Sequence, residues 1–207
     1  EKRRKHHVKL IDKSNKQSSK SKIVEFSNNI KDLSYDFIQI GNGSLGGKAR
    51  GLAFANTLIT ENIKKKFKST IIKIPKTIVV ATDEFDHFME KNNLWDFALQ
   101  NNTNDIILNK FLSSKIQKDL KSKLKSILEN ISGPIAVRSS SLLEDSQYQP
   151  LAGMYSTFML PNSHKDKKEK LDQLCEAIKR VYASTFFKAP KSLMDNISHR
   201  HEEEKMA

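Results

Sequence analysis

The stretch IAVRSSSLLEDSQYQPLAGMYSTF, Ile135 to Phe158, joins two apolar runs through a polar turn containing a glycine. Ile135, Ala136 and Val137 read as a buried strand ending on Arg138 and three serines, Ser139, Ser140 and Ser141. Glu144 and Asp145 follow, then the small pair Ala152-Gly153, then a second strand-like run from Met154 to Leu160. An arginine at a strand end holds a planar, permanently charged fork at a sheet edge, a geometry suited to two phosphate oxygens at once. The serine hydroxyls and Thr157 add donors, and Gly153 permits a close backbone approach. The same residues also fit a solvated hairpin in which Arg138 pairs with Glu144 or Asp145. The stretch alone leaves both readings open.

A glycine-rich segment lies upstream, in IQIGNGSLGGKARGLAFANTLITENI. Gly41, Gly43, Gly46 and Gly47 crowd its first half, and from Lys48 the pattern turns helical, with Leu52, Ala55, Leu58 and Ile59 on one face. The expectation is a loop followed by a helix from about Gly47 to Ile63. Glycines ahead of a helix let backbone N–H groups approach a phosphate, and the helix start adds a positive dipole end. Lys48 is a compact charge for phosphate oxygens. The spacing is not the GxxxxGK[ST] nucleotide loop, because Ala49 follows Lys48 and no hydroxyl is placed for magnesium. A GxGxxG pattern at Gly41, Gly43 and Gly46 lacks the βαβ setting with an acid about 20 residues on. Taken by itself, this segment is equally a flexible turn.

Between the two lies PKTIVVATDEF, read as a buried strand from Thr77 to Ala81 and a helix to about Lys91. Thr82 is expected as its N-cap, with Asp83 and Glu84 in the first turn where acids suit the dipole. Helices are expected over Leu94–Leu99, Asp105–Leu112, Ser113–Asn130 and about Ser163–Phe187, with Lys188-Ala189-Pro190 interrupting and a further helix after it. Ile23 to Ile38 reads as a polar lead-in. Strands separated by helices argue for an α/β or α+β domain.

Of the formal charge of +12, +7 lies in residues 1–22, where nine Lys and Arg face two acids. That segment is expected to be a basic linker or arm, disordered or a helical extension, with residues 23–207 forming the folded unit. It has no aromatic residue for base stacking, so nucleic acid is not the expected partner. One cysteine, Cys175, excludes a disulfide framework. No apolar run spans a bilayer and no signal peptide is visible, so the expected location is the cytoplasm. The chain starts at Glu1 and reads as a piece of something longer.

Together, GGKARGL, PKTIVVATDEF and VRSSSLLEDSQYQPLAGMYSTF strongly resemble the phosphoenolpyruvate synthase and pyruvate phosphate dikinase family. They are similar to the N-terminal part of its nucleotide-binding domain, a module shared with rifampicin phosphotransferase and the glucan, water dikinases. The three motifs follow one another in the family's order over roughly Gly46 to Leu160. The resemblance implies the first subdomain of an ATP-grasp-like fold, a small mixed sheet flanked by helices. It implies that Lys48 and Arg138 contact the phosphates of ATP, and that Gly153 and Thr157 belong to a loop closing over them. Gly46, Gly47, Ser139, Glu144 and Asp145 match as weaker candidates that shape the loops.

The resemblance also implies phosphoryl transfer from ATP to a histidine on a separate swivelling domain, then to pyruvate or another acceptor such as an antibiotic or a glucan. The adenine-reading half, the magnesium ligands and that histidine are expected outside this fragment, so the fragment alone should not turn over. A module of the same fold that binds nucleotide without catalysis is the alternative. The histidines present, His6, His7, His87, His164, His199 and His201, read as surface groups. Phe85, Phe88, Trp95 and Phe97 read as core, Cys175 as packing, and Glu202-Glu203-Glu204 as a solvated helix end rather than a metal site.

Overall fold

The computed structural model describes residues 23–27, 29, 34–59, 72, 74–141, 144, 153–196 and 200–207. The basic arm and Asp145 therefore lie outside the described residues, as do His6, His7 and His199. In chain order the elements are β1 (Ile23–Glu25), β2 (Phe37–Ile40), α1 (Gly46–Leu58), β3 (Thr77–Val80), α2 (Thr82–Lys91), α3 (Trp95–Leu99), α4 (Asn104–Ser113), α5 (Lys118–Leu128), β4 (Ile135–Arg138), β5 (Thr157–Leu160), α6 (Lys167–Ser184) and α7 (Lys188–Asn196). A 3₁₀ turn, His201–Glu203, follows. The α/β class holds, and the strands divide into two sheets. One is parallel in the order β1-β2-β3, and the other is the antiparallel pair β4-β5.

The central strand β2 shows why the parallel sheet exists. Its residues point alternately to two covered faces, so FIQI is an almost unbroken apolar run. Phe37 joins Leu45, Ala49 and Val79 under α1, whereas Ile38 and Ile40 face the larger helical body. Sequence reading leaves this region as a lead-in because a buried strand of 4 residues has too few positions to show a period.

Inside the helical body Phe85, Phe88, Phe111, Tyr182 and Phe186 are each at most 2% exposed, and Trp95 and Phe97 pack partly buried against that cluster. The Phe85 and Tyr182 rings meet edge-on at 5.0 Å, and the Phe85 and Phe186 rings stack at 6.3 Å. Such aromatic pairs favour these offsets and supply the largest apolar areas of a small core. Helix α5 starts later than its sequence suggests, since Lys115 donates its backbone N–H to Asn92 Oδ1 at 3.0 Å and the approach to Lys118 is not helical. Asp166 caps α6 through the Lys168 N–H at 2.8 Å. Pro190 sits in the first turn of α7, where its missing N–H costs nothing, so the break falls before Lys188 rather than at the proline.

The expected run of helices to the chain's end is corrected by the structure. Past the 3₁₀ turn, Met206 bridges Ser141, and Ala207 and Ser140 exchange backbone hydrogen bonds of 3.0 and 3.1 Å. Glu204 is fully buried and not a solvated helix end, because the Tyr155 hydroxyl donates to it at 2.7 Å.

Candidate functional site

The loop between β2 and α1 lies against the start of α2 and the end of β4. Gly46 has φ +71°, and a Cβ there would meet Ser140 O at 1.8 Å, so only glycine permits this approach. The Ser140 hydroxyl then works in both directions. It donates to Leu45 O at 2.7 Å and accepts the Ala49 N–H at 3.0 Å. Gly47 N–H donates to Ser141 O at 2.8 Å and Gly46 N–H to Ser44 Oγ at 3.2 Å.

Acids and hydroxyls of α2 take the rest of the loop. Asp83 accepts the N–H groups of Asn42 at 2.8 Å and Gly43 at 3.0 Å, and Thr82 Oγ1 accepts that of Ser44 at 2.9 Å. Sequence reading assigns Thr82 to the cap of its own helix; instead Ala81 is the N-cap and the threonine caps the loop. Amides suited to phosphate oxygens are thus donated to the protein, and the loop acts as a rigid mount for α1.

What that mount presents is Lys48. Its ammonium pairs with Glu144 Oε1 and lies 3.4 Å from Ser139 Oγ, while the Ser139 hydroxyl donates to Glu144 Oε1 at 3.0 Å. The Glu144 side chain is fully buried, and that of Lys48 keeps 28% of its surface. An ammonium has three N–H donors. Glu144 and Ser139 take up two, so the pairing holds the charge without occupying all of its donors. Glu144 is in turn held by its own N–H, which donates to Ser141 Oγ at 3.2 Å.

Arg138 ends β4 next to Ser139. Strand β4 turns Ile135 and Val137 inward and Ala136 and Arg138 outward; β5 turns Thr157 and Met159 outward. Register pairs Arg138 directly with Thr157, so their Cβ atoms stand about 5 Å apart on one exposed face. Among the described residues Arg138 is in no ion pair, and Glu144, a partner the hairpin reading offers it, is taken by Lys48. Gly153 is exposed with φ +77°, at the edge of the turn leading into β5. The structure thus brings Gly46, Gly47, Lys48, Arg138, Ser139, Glu144 and Thr157 to one strand end, with Gly153 four residues before Thr157.

Other expected groups are elsewhere. Among the described residues no set of three or more His, Cys, Asp or Glu could hold a metal ion. His87 and His164 are exposed, and His201 pairs with Asp195 at 2.8 Å. Burial pushes the Cys175 thiol above its ordinary pKa, consistent with a packing role. No described helix is long and apolar enough to cross a membrane. Sequence reasoning missed Asp83, Thr82 and Tyr155, which hold the loops. The adjacent Thr-Asp after a strand was the available signal, and it serves equally well as a helix start.

A search of curated proteins and a search of solved structures each returned no match. The family described as pyruvate phosphate dikinase, AMP/ATP-binding domain, matches residues 42–207, which include the glycine loop, the strand end with Arg138 and the C-terminal bridge. A match over most of the chain, containing every described residue of the site, shows that the chain belongs to the pyruvate phosphate dikinase AMP/ATP-binding domain family.

Proposed function

We propose that Lys48 and Arg138 grip the triphosphate of ATP from two sides of the β4 end, with Thr157 donating from the neighbouring strand and the segment from Gly153 covering the phosphates. The observation that carries this reading is the pairing of an oriented, part-exposed ammonium with an exposed guanidinium one residue from its Ser139 partner. The fixed ammonium neutralises one oxygen without reorganising, and the guanidinium fork suits two. Phosphoryl transfer makes its largest demands on charge neutralisation and positioning, and this residue set supplies both. Ser139, Glu144, Gly46 and Gly47 act by holding Lys48 in place.

On this reading the chain is the first subdomain, residues 23–207, of an ATP-grasp-like domain in a dikinase-type phosphotransferase. The functional type we assign to it is that of phosphoenolpyruvate synthase, which turns ATP, pyruvate and water into phosphoenolpyruvate, AMP and phosphate through a phosphohistidine. Magnesium, the adenine contacts and the swivelling histidine domain belong to further parts of the protein. The test is isotope exchange between ATP and its products in the full-length protein, wild type against Lys48→Ala and Arg138→Ala. Exchange should fall by about a hundredfold or more in each variant. Unchanged exchange in both removes these two residues from the site.

A further inference from the structure

The turn between Gly153 and Thr157 is held at two points from behind. Ser156 N–H donates to the Ser184 hydroxyl at 3.1 Å, and Tyr155, 6% exposed, donates its hydroxyl to Glu204 Oε1 at 2.7 Å. Glu204 is fully buried and belongs to the segment after the 3₁₀ turn. The same segment reaches the opposite wall: Lys205 pairs with Asp86 at 2.5 Å, Met206 is fully buried beside Ser141, and Ala207 exchanges backbone bonds with Ser140. Residues 204–207 therefore form a strap. One end holds the covering turn and the other holds the serines that mount Gly46, Gly47 and Ala49.

We infer that Glu204, acting through Tyr155, is a positioning residue for the triphosphate: the strap sets the height of the Gly153–Thr157 turn relative to the Lys48 wall. Both side chains are buried, so the role assigned to them is to position and not to contact. Tyr155 is buried while its neighbours Gly153 and Thr157 are exposed, so the ring is the anchor of a turn whose outer residues do the contacting. Burial, and then the charge of Glu204, raise the pKa of the Tyr155 hydroxyl, so the proton stays on the tyrosine and the bond is charge-assisted. The inference rests on the proposed phosphate-binding roles of Lys48 and Arg138.

The test is a titration of the full-length protein, which carries the adenine contacts, with ATP and, separately, with adenosine, followed by amide chemical shifts in NMR so that weak affinities are read as well. Tyr155→Phe should weaken ATP binding about tenfold and leave adenosine unchanged, because only the phosphate contacts depend on the turn's height. Glu204→Gln keeps an acceptor for the hydroxyl and should stay within about threefold of wild type. The double variant Tyr155→Phe/Glu204→Gln removes the hydroxyl and the buried charge together while keeping the shape of the side chain, and should match Tyr155→Phe. Should Tyr155→Phe not fold, the double variant makes the same comparison. Lys48→Ala separates the inference from the reading beneath it. ATP weakened by Lys48→Ala but unaffected in both tyrosine variants overturns the strap alone. An equal loss for ATP and adenosine also overturns it, since that marks a general disturbance of the fold. No saturable ATP shift in wild type, or none lost in Lys48→Ala, overturns the reading of the site and the strap with it.

Discussion

The two walls of the site differ in how much of their hydrogen bonding the protein itself has used. On the glycine-loop wall, the amides of Asn42, Gly43, Ser44, Gly46, Gly47 and Ala49 all donate to protein acceptors, and Lys48 is braced by Glu144 and Ser139. On the strand-pair wall, Arg138 and Thr157 share an exposed face. A braced charge stabilises an anion without the reorganisation that a free side chain undergoes. A free guanidinium loses rotamer entropy when it is captured, but it adapts to a ligand that moves. On the proposed reading, the fixed wall sets position and the open wall supplies grip.

If that contrast is right, damage to the fixed wall should unfold the protein while damage to the open wall should not. Gly46→Ala gives the largest effect. A Cβ 1.8 Å from Ser140 O, on a backbone with φ +71°, forces α1 away from β4. The expected loss is above about 3 kcal/mol, read as a large drop in Tm or a failure to fold. A drop of only a few degrees would show that the loop yields and that the wall is not fixed.

Next come the two cations, whose effects should separate. Lys48→Ala leaves Glu144 buried with its ion partner gone, so it should destabilise by about 2 kcal/mol and weaken ATP binding together. Lys48→Ala/Glu144→Gln should recover much of the stability and none of the binding. Arg138→Ala removes an exposed side chain and should leave stability within about 0.5 kcal/mol of wild type while weakening ATP binding by tenfold or more. A Tm loss in Arg138→Ala equal to that in Lys48→Ala erases the distinction. Gly153→Ala is milder than Gly46→Ala. It carries the same strain, with φ +77°, but a Cβ there meets nothing within 4 Å, so about 1 kcal/mol is expected.

The parts legible in the sequence were those whose cause is local. Helix α1 showed as a helix after the glycines, although the face expected to be buried is not the one that is, since Leu58 is exposed and Gly46, Ala49 and Asn56 are buried. Strand β3 and α2 showed through a strand followed by acids, and the β4–β5 pair through two apolar runs around a turn. Lys48 and Arg138 stood out because a lysine after glycines and an arginine ending a strand are unusual in themselves. What stayed hidden depends on partners far along the chain. The Ser44 N–H reaching Thr82, the Gly43 N–H reaching Asp83 and Tyr155 reaching Glu204 are contacts between segments 38, 40 and 49 residues apart. No spacing rule connects such segments. Glu204 shows the limit well: within HEEEKMA three acids look alike, and only burial against Tyr155 singles out the last. The serines likewise looked like ligands for phosphate, since nothing near Ser140 announces that Leu45 and Ala49 use its hydroxyl.

The smallest expected effect bears on what the fixed wall costs. Holding the loop places Asp83 at the start of α2, next to Glu84, which is 7% exposed. Burial first, and then the charge of Asp83, raise the Glu84 carboxyl above its ordinary pKa of 4.5, with Lys123 and His87 opposing and Asp119 adding to the rise. A carboxyl whose folded pKa exceeds its unfolded one binds its proton more tightly when folded. Its stabilising contribution is therefore complete below the unfolded pKa and is lost as pH rises through the folded pKa. At neutral pH the ionised Glu84 is a cost. Glu84→Gln should then raise stability at pH 7, by under about 1 kcal/mol, and the advantage should shrink as pH falls toward about 4. Thermal unfolding of both proteins across that range gives the answer. A Gln variant less stable than wild type at pH 7 would mean that Glu84 braces the wall through its charge, and that the open wall differs by having no such brace rather than by escaping a cost.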